Sequence, residues 1–261
     1  MSEPTVTQFD TPTGKVALRI AGEGRPLVFM HGLGGSSKSW REQHASFAGS
    51  RRVIAWDTPG YGDSAVYPDD EPTCHNYAKA LLAALDAADV EAFDLVGHSM
   101  GGAIAPWVAR LAPQRVGKLV LSATKVIFGR EQTMGFEKGL AERRQMDDRT
   151  FGASRARGMV GEKSPVFAEI AAIAGEVRSP GFERAVALLK QADNRAILPT
   201  IDQPTLAIAA ENDTVAPVED VRAVARAVPA ARLEIVPDAA HAAYMEQPER
   251  YNALLRAFLD D

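Results

Sequence analysis

One serine stands between two glycines in the stretch Gly97-His98-Ser99-Met100-Gly101. This G-x-S-x-G spacing is typical of a nucleophile elbow, a sharp strand-to-helix turn that exposes the serine hydroxyl above a sheet. Gly97 and Gly101 have no Cβ, so neighbouring backbone can approach the turn closely. A glycine-rich turn with an idle serine would have the same sequence, so the hypothesis of catalysis depends on finding a base and an acid elsewhere.

A serine hydroxyl becomes a good nucleophile only when a base accepts its proton and a third group fixes the tautomer of that base. Five histidines are candidates for the base. His31 and His98 lie in glycine-flanked turns, where packed and hydrogen-bonded side chains are expected. His44 and His75 fall in or beside predicted helices and are expected at the surface. His241 lies in the loop after the last predicted strand, so it is the predicted base.

The predicted acid is Asp213, which follows the apolar run Thr205–Ala210 and so lies at the carboxyl end of a strand. The resulting chain order of Ser99, Asp213 and His241 is the order that accompanies a nucleophile elbow. Three other carboxylates are alternatives: Glu211, Asp238 and Asp57. Turns rich in Pro and Gly follow Asp57 directly, and they favour a structural role for it.

Acyl transfer also needs hydrogen-bond donors for the oxyanion. The backbone N–H of Met100, the residue after the serine, is one predicted donor. The backbone N–H of Leu33 is the other, because the loop His31-Gly32-Leu33-Gly34 allows close approach of the backbone. A helix that begins near Met100 would add its positive dipole end at the same place.

Apolar runs and helical patterns alternate along most of the chain. They predict a β-hairpin followed by buried strands: Val6–Phe9, Lys15–Ile20, Pro26–Met30, Arg52–Trp56, 93–98, Lys118–Ser122, Thr205–Ala210 and Leu233–Val236. Repeated strand–helix units indicate an α/β fold, with a mainly parallel eight-stranded sheet flanked by helices on both faces.

The alternation stops between residues 125 and 199, where the pattern predicts helices over Phe136–Gln145, Pro165–Ile173 and Phe182–Ala192. We therefore predict a core domain of residues 1–124 and 200–261 and a helical cap of residues 125–199, inserted after the sixth strand. The cap would cover the carboxyl ends of the strands, where ligands bind in open α/β sheets. Its apolar side chains are candidates for lining a substrate pocket: Phe128, Met134, Phe136, Met146, Phe151 and Met159.

The 261 residues, 46% of them hydrophobic, suit one α/β domain with an insertion. A net charge of -5 favours neither nucleic acid nor an anionic membrane surface as a partner. The single cysteine, Cys74, excludes an internal disulfide and fits a reducing compartment. With no apolar signal segment and no apolar run of membrane-spanning length, the expectation is a cytoplasmic protein, either a monomer or a homodimer.

Five motifs together resemble the α/β-hydrolase family over nearly the whole chain. They are 31–34, 57–64, 97–102, Asn212-Asp213, and His241 with residues 246–249. Within the family, the cap location and the Ser-Met-Gly-Gly elbow resemble enol-lactone hydrolases and related carboxylesterases. Carbon–carbon bond hydrolases of meta-cleavage products are similar too, although the loop at 31–36 departs from their usual Gly-Pro-Gly form.

The resemblance implies a serine hydrolase of a small ester or lactone that works through an acyl-enzyme intermediate. A carbon–carbon bond hydrolase, a small-molecule receptor and a cofactor-free perhydrolase are alternatives on the same fold. We expect no cofactor, because neither a metal-binding cluster nor a dinucleotide fingerprint is present. The cap segment holds 13 Lys and Arg against 10 Asp and Glu, so an anionic substrate is a further hypothesis.

Overall fold

The first two strands form the hairpin that the sequence predicts. The structure is a computed structural model that describes residues 3–129 and 133–261, but not the side chains of residues 133 and 134. In it, β1 (Thr5–Thr11) pairs antiparallel with β2 (Gly14–Ala21). Gly14, the first residue of β2 after the turn, has a φ of 109°, a backbone conformation that favours glycine.

Eight strands form one sheet in the order β1-β2-β4-β3-β5-β6-β7-β8. The remaining strands are β3 (Pro26–Met30), β4 (Arg52–Trp56), β5 (Phe93–His98), β6 (Val116–Ser122), β7 (Thr205–Ala210) and β8 (Ala231–Val236). From β4 to β8 all neighbours are parallel, whereas β2 pairs antiparallel with β4. The predicted mainly parallel sheet is therefore confirmed.

Helices cover both faces of this sheet, and further helices form the segment between β6 and β7. They are α1 (Arg41–Phe47), α2 (Cys74–Ala87), α3 (Met100–Leu111), α4 (Thr133–Gln145), α5 (Asp148–Val160), α6 (Phe167–Gly175), α7 (Ser179–Gln191), α8 (Val218–Ala227), α9 (Ala243–Glu246) and α10 (Pro248–Leu259). In β3, Val28 packs with the side chains of α2 and α3, while Leu27 and Phe29 pack with those of α1 and α10. Because both faces are covered, this strand is apolar throughout.

The order of the central strands creates a topological switch point, where the direction in which successive strands are added to the sheet reverses. The chain runs outward from β3 to β4 on one side and from β5 to β6 on the other. The loops after β3 and β5 therefore leave the sheet in opposite directions and open a crevice between them, where ligands bind in folds of this kind. The nucleophile elbow follows β5, and the loop with Leu33 follows β3, so both lie at this crevice.

Helices α4, α5, α6 and α7 lie between β6 and β7, in the segment predicted to form the cap. The two ends of this segment meet, since the Phe128 N–H donates to the Ala192 carbonyl at 3.0 Å and the Asn194 N–H donates to the Val126 carbonyl at 2.8 Å. The chain thus leaves and re-enters the sheet at nearly the same place. The exact boundaries at residues 125 and 199 remain a prediction.

Helix α5 has no counterpart in the sequence predictions. Its sequence holds Gly152 and Gly158 and lacks a regular apolar stripe, which is why the 3.6-residue periodicity did not reveal it. A capping signal is present, because the Asp147 side chain accepts a hydrogen bond from the Thr150 N–H at 2.9 Å. In the part of the chain that the structure describes, no helix is both long and apolar enough to span a membrane.

Candidate active site

Ser99 sits on a strained turn between β5 and α3. Its backbone φ of 53° and ψ of -113° lie where side chains other than glycine are rarely found. A Cβ on Gly97 would come within 2.5 Å of the Gly101 carbonyl oxygen, and one on Gly101 within 2.3 Å of the Met30 carbonyl oxygen. Both glycines are therefore required for the turn to close around the serine.

A continuous hydrogen-bond chain joins the three residues that the sequence predicts to act together. His241 Nε2 lies 3.0 Å from Ser99 Oγ, and His241 Nδ1 lies 2.8 Å from Asp213 Oδ2. When Nδ1–H donates to the carboxylate, Nε2 is left with a lone pair that can accept the serine proton. All three side chains are buried, so little water competes for these bonds.

The carboxylate of Asp213 is fixed from its other side. Its Oδ1 accepts hydrogen bonds from the backbone N–H groups of Val215 at 2.7 Å and Ala216 at 2.9 Å. Hydrogen bonds of this kind stabilise the charged form of a carboxylate. With Oδ1 held in this way, Oδ2 points to His241.

Two contacts hold the loop that carries His241. The backbone N–H of His241 donates to the Met159 carbonyl of α5 at 3.1 Å. The Glu246 carboxylate accepts from the Ala240 N–H at 2.8 Å and from the Ser164 hydroxyl at 3.1 Å, and burial raises the pKa of Glu246. The sequence singles out Glu246 only as part of the family motif at residues 246–249.

The two predicted oxyanion donors lie on either side of the serine. Met100 is the first residue of α3, and a Cβ on Gly32 would lie 3.0 Å from Ser99 Cβ, so the loop with Leu33 passes next to Ser99. Within residues 3–129 and 133–261, neither the Leu33 N–H nor the Met100 N–H donates to a protein acceptor. Both are thus available to a ligand atom.

Ser99 and His241 open into a cavity of about 340 Å³. The other side chains that line it are mostly apolar: Leu33, Phe128, Phe136, Arg155, Met159, Phe182, Leu189 and Val215. Three of the predicted pocket residues, Phe128, Phe136 and Met159, are among them. This volume lies at the lower end of the range of about 300 to 1,000 Å³ for ligand pockets.

The other three predicted pocket residues are not part of the described lining of the cavity. Phe151 is fully buried inside the cap segment, edge-on to the ring of Phe182 at 5.3 Å, and the described lining of the cavity does not include it. Met146 is half-buried against the core and is also absent from that lining. Placing these two in the pocket was therefore wrong, because Phe151 packs on Phe182 and Met146 lies in the bend between α4 and α5. The Met134 side chain lies outside the described part of the chain.

Arg155, Phe182 and Leu189 line the cavity but were not singled out from the sequence. Arg155 lies on α5, the helix that the periodicity did not reveal. Phe182 and Leu189 lie seven residues apart on α7, a spacing that puts both on one helix face. That spacing was a usable signal for the two apolar residues, whereas nothing in the sequence distinguished Arg155 from its neighbours.

His31 and His98 are both buried, as predicted. His31 Nδ1 donates to the Gly32 carbonyl at 2.8 Å and Nε2 accepts from the Thr58 N–H at 3.1 Å. The hydrogen bonds expected for His98 are absent, because neither of its ring nitrogens has a partner in the described residues. Burial lowers the pKa of His98 well below its ordinary value, so a neutral ring packs 4.9 Å from the ring of His241.

The surface position predicted for His44 was wrong, whereas His75 is partly exposed. His44 is buried, because α1 packs against α10 and β4, and burial lowers its pKa to about 4. His75 is half-buried, with its ring edge-on to Trp107 at 5.7 Å. Neither side chain lines the cavity of Ser99.

The alternative acids have other partners. Glu211 is exposed, and its carboxylate accepts from the Asp238 N–H at 3.0 Å. Asp57 Oδ1 accepts from the Ser37 N–H at 2.7 Å, and its Oδ2 accepts from the Asp63 N–H at 3.3 Å. Of the four carboxylates considered, Asp213 is thus the one hydrogen-bonded to His241.

A metal site and a reactive thiol are two further possibilities for chemistry in this protein. Across residues 3–129 and 133–261, no cluster of three or more His, Cys, Asp or Glu side chains is placed to hold a metal ion. Cys74 is buried at the start of α2, and burial raises the pKa of its thiol to about 12. It is therefore protonated at neutral pH and unreactive as a nucleophile.

Comparison with known proteins agrees with this architecture. The profile of the alpha/beta hydrolase family matches residues 27–254. A crystal structure of a hydrolase from Pseudomonas aeruginosa PA01 superimposes with a TM-score of 0.88 at 26% identity, covering 98% of this chain and 99% of the other. The overall likeness thus extends from the sheet to the helical insertion.

Several relatives are similar along most of this chain. It is 31% identical over 258 residues to the dihydrolipoyllysine-residue acetyltransferase component of the acetoin cleaving system of Pseudomonas putida, covering 92% of this chain and 65% of that protein, less than two thirds of its length. It is 28% identical over 259 residues to a 2-hydroxymuconate semialdehyde hydrolase of Pseudomonas putida, covering 93% and 89%. It is 26% identical over 258 residues to 3-oxoadipate enol-lactonase 2 of Acinetobacter baylyi, covering 96% of each.

Proposed function

Since the chain belongs to the alpha/beta hydrolase family, we propose that it is a serine hydrolase that cleaves a small carboxylic ester or lactone. The observation that carries this proposal is the hydrogen-bond chain from Asp213 through His241 to Ser99. A serine on a strained turn that opens into a cavity, linked by these hydrogen bonds to a histidine and an aspartate, meets the geometric requirements for nucleophilic catalysis.

In the proposed reaction, Ser99 Oγ attacks the carbonyl carbon while His241 Nε2 accepts its proton. The backbone N–H groups of Leu33 and Met100 stabilise the negative charge that develops on the carbonyl oxygen. His241 then donates the proton to the leaving oxygen, and an acyl group remains on Ser99. Asp213 holds the histidine tautomer and stabilises the transient imidazolium.

The second half of the reaction repeats these roles with water. His241 Nε2 accepts a proton from a water molecule, whose oxygen attacks the acyl carbon of the intermediate. Collapse of the second tetrahedral intermediate returns the proton from His241 to Ser99 Oγ and releases the acid. For a lactone, the leaving alcohol and the acid are two ends of one product.

The shape of the site supports a small substrate with an apolar part. The cavity of about 340 Å³ is lined mainly by aromatic and aliphatic side chains, which favour such substrates. Relatives named as an enol-lactonase and as a semialdehyde hydrolase make an enol lactone and a vinylogous diketone useful members of a substrate panel beside simple esters.

The test combines labelling with kinetics. A fluorophosphonate should modify Ser99, as located by peptide mass spectrometry, and the Ser99→Ala protein should take up no label. The same variant should lose at least about 10³-fold in kcat on whichever ester or lactone the wild type hydrolyses. Labelling at another residue, or activity that survives Ser99→Ala, would refute the proposal. Turnover of the diketone but of neither ester nor lactone would favour a carbon–carbon bond hydrolase instead.

A further inference from the structure

Arg155 is the one charged side chain of α5 that faces the cavity of Ser99 and His241. Its Nε is fully buried and has no hydrogen-bond partner in the described part of the chain. A Cβ on Gly34 would lie 3.8 Å from this Nε, so the guanidinium borders the loop that carries Leu33. A cation thus lines the same cavity as the reactive serine, and its Nε has no acceptor among the described residues.

Most other arginines of the cap segment have a carboxylate partner. The pairs are Arg143–Asp148, Arg144–Glu183, Arg157–Glu162, Arg184–Asp70 and Arg195–Asp193. Arg155 forms no ion pair with any described residue. Arg155 is thus a positive charge of this segment that faces the cavity and forms no ion pair with a described residue.

The neighbours of Arg155 do not neutralise it. The guanidinium lies 5.7 Å from the centre of the Phe182 ring, which is a cation–π contact. Tyr61 is close enough to interact, but burial raises the pKa of its phenol above the ordinary value, so it is uncharged. The Glu142 carboxylate interacts at longer range and already binds the Ser154 hydroxyl at 2.9 Å and Lys138 at 3.6 Å.

The buried Nε–H of Arg155 has lost water and gained no acceptor in exchange, which is costly for a donor of a charged group. Burial lowers the pKa of Arg155, yet a guanidinium remains protonated at neutral pH. Its planar donors match a carboxylate, which can accept two parallel hydrogen bonds. The arrangement suits a ligand that brings its own negative charge.

We propose that Arg155 binds a carboxylate of the substrate, so that the preferred substrates are short esters or lactones with a free carboxylate. This inference rests on the proposed hydrolase function, because it places the carboxylate and the scissile carbonyl in one cavity. The cavity volume limits the distance between the two groups to a few bonds. Arg155 is then a specificity-determining residue, and Ser99, His241 and Asp213 carry the chemistry.

The kinetic test uses two esters with the same leaving group and nearly the same shape. They are the 4-nitrophenyl monoester of succinic acid and 4-nitrophenyl 4-methylpentanoate, in which an isopropyl group replaces the carboxylate. The wild type should favour the succinate ester. Arg155→Gln should lower kcat/KM for it by about 10- to 100-fold, the usual weight of a hydrogen bond to a charged group, with only a few-fold change for the neutral ester.

Two further variants sharpen this comparison. Arg155→Lys keeps the charge but not the planar donors, so it should retain an intermediate preference for the succinate ester. Arg157→Gln is the matched control, because Arg157 lies on the same helix but is exposed and paired with Glu162. Equal losses on both esters in Arg155→Gln, or a wild-type preference for the neutral ester, would overturn the proposal.

A binding measurement separates this proposal from the hydrolase proposal. Succinate should raise the melting temperature of the wild type, of Ser99→Ala and of Arg157→Gln, but not that of Arg155→Gln. If Arg155→Gln fails to fold, Arg155→Lys replaces it in this test, and succinate should raise its melting temperature less than that of the wild type. If neither ester is hydrolysed but succinate still binds through Arg155, the hydrolase proposal fails and the anion site stands. Equal stabilisation of all variants, or of none, contradicts the anion site whatever the activity.

Discussion

The backbone N–H of His241 donates a hydrogen bond to the carbonyl oxygen of Met159 at 3.1 Å. Met159 is the penultimate residue of α5, and its side chain lines the cavity. The loop that holds the proposed base is therefore tied directly to a helix of the insertion. The insertion thus holds the loop of the proposed base and also contributes side chains to the lining of the cavity.

A substitution that displaces α5 should therefore reduce activity on every substrate. Gly152 of α5 packs so closely on α6 that an added Cβ would lie 2.0 Å from the Ala171 carbonyl oxygen. Gly152→Ala should cost about 1–3 kcal/mol of stability as overpacking and lower kcat on charged and neutral esters alike, because the Met159 anchor moves. Thermal unfolding and steady-state kinetics measure the two effects.

Gly49→Ala is the control for this experiment. Gly49 lies in the turn after α1, and nothing would lie within 4 Å of an added Cβ. It should leave both melting temperature and kcat near the wild-type values. If Gly152→Ala lowered the melting temperature but left kcat unchanged, the link from α5 to the base would be unimportant.

The acid of the site can be tested by comparing two neighbouring carboxylates. Asp213→Asn preserves the shape of the side chain but favours the wrong tautomer of His241, so kcat should fall by about 10⁴-fold with the fold intact. Glu211→Gln should be mild, since Glu211 is exposed and bonds only to the Asp238 N–H among described groups. Steady-state kinetics measures the loss of kcat in both variants, and circular dichroism shows whether each is folded. A larger loss in Glu211→Gln than in Asp213→Asn would disprove the assignment of Asp213 as the acid.

The sequence predicted those parts of the fold in which local pattern and tertiary packing agree. The bounds of β3, β4 and β7 match the predicted ones, and α3 begins at Met100 as predicted, because apolar runs there end at turn-forming residues. The order of Ser99, Asp213 and His241 was likewise readable, since each follows a predicted strand on the same edge of a parallel sheet.

The sequence could not predict which side of a cap helix faces the cavity. Phe151 and Phe182 are both fully buried and touch each other, yet only Phe182 lines the cavity. That difference depends on how α5, α6 and α7 pack on one another, which no local pattern encodes. The burial of His44 is a similar case, because it depends on how α1 docks against α10.

The buried imidazole of His44 should make the protein sensitive to acid. Its pKa is about 4 in the folded protein, against 6.5 in its ordinary state, so the unfolded chain takes up the proton first as pH falls. Stability is therefore lost between about pH 6.5 and pH 4, and the loss due to His44 is about 2 kcal/mol at pH 5. Above about pH 6.5 this loss is nearly absent.

His44→Gln removes this titration. Between pH 7 and pH 5, the free energy of unfolding of the variant should fall by about 2 kcal/mol less than that of the wild type. Urea unfolding curves at pH 7, 6 and 5 measure this difference, whatever the stability of the variant at pH 7. Parallel pH dependences of the two proteins would show that His44 is protonated as readily in the folded state as in the unfolded chain.

The apolar lining should set the length of acyl chain that the site accepts. Phe136 and Met159 line the cavity, so Phe136→Ala and Met159→Ala enlarge it and should shift the kcat/KM optimum for a series of 4-nitrophenyl esters toward longer chains. Phe151→Ala is the matched control, because Phe151 is fully buried within the insertion and lies outside the described lining. It should lower stability by about 3–5 kcal/mol and leave the chain-length optimum where it is. If Phe151→Ala moved the optimum as far as Phe136→Ala does, chain length would be set by the stability of the whole insertion instead of by the side chains that face the cavity.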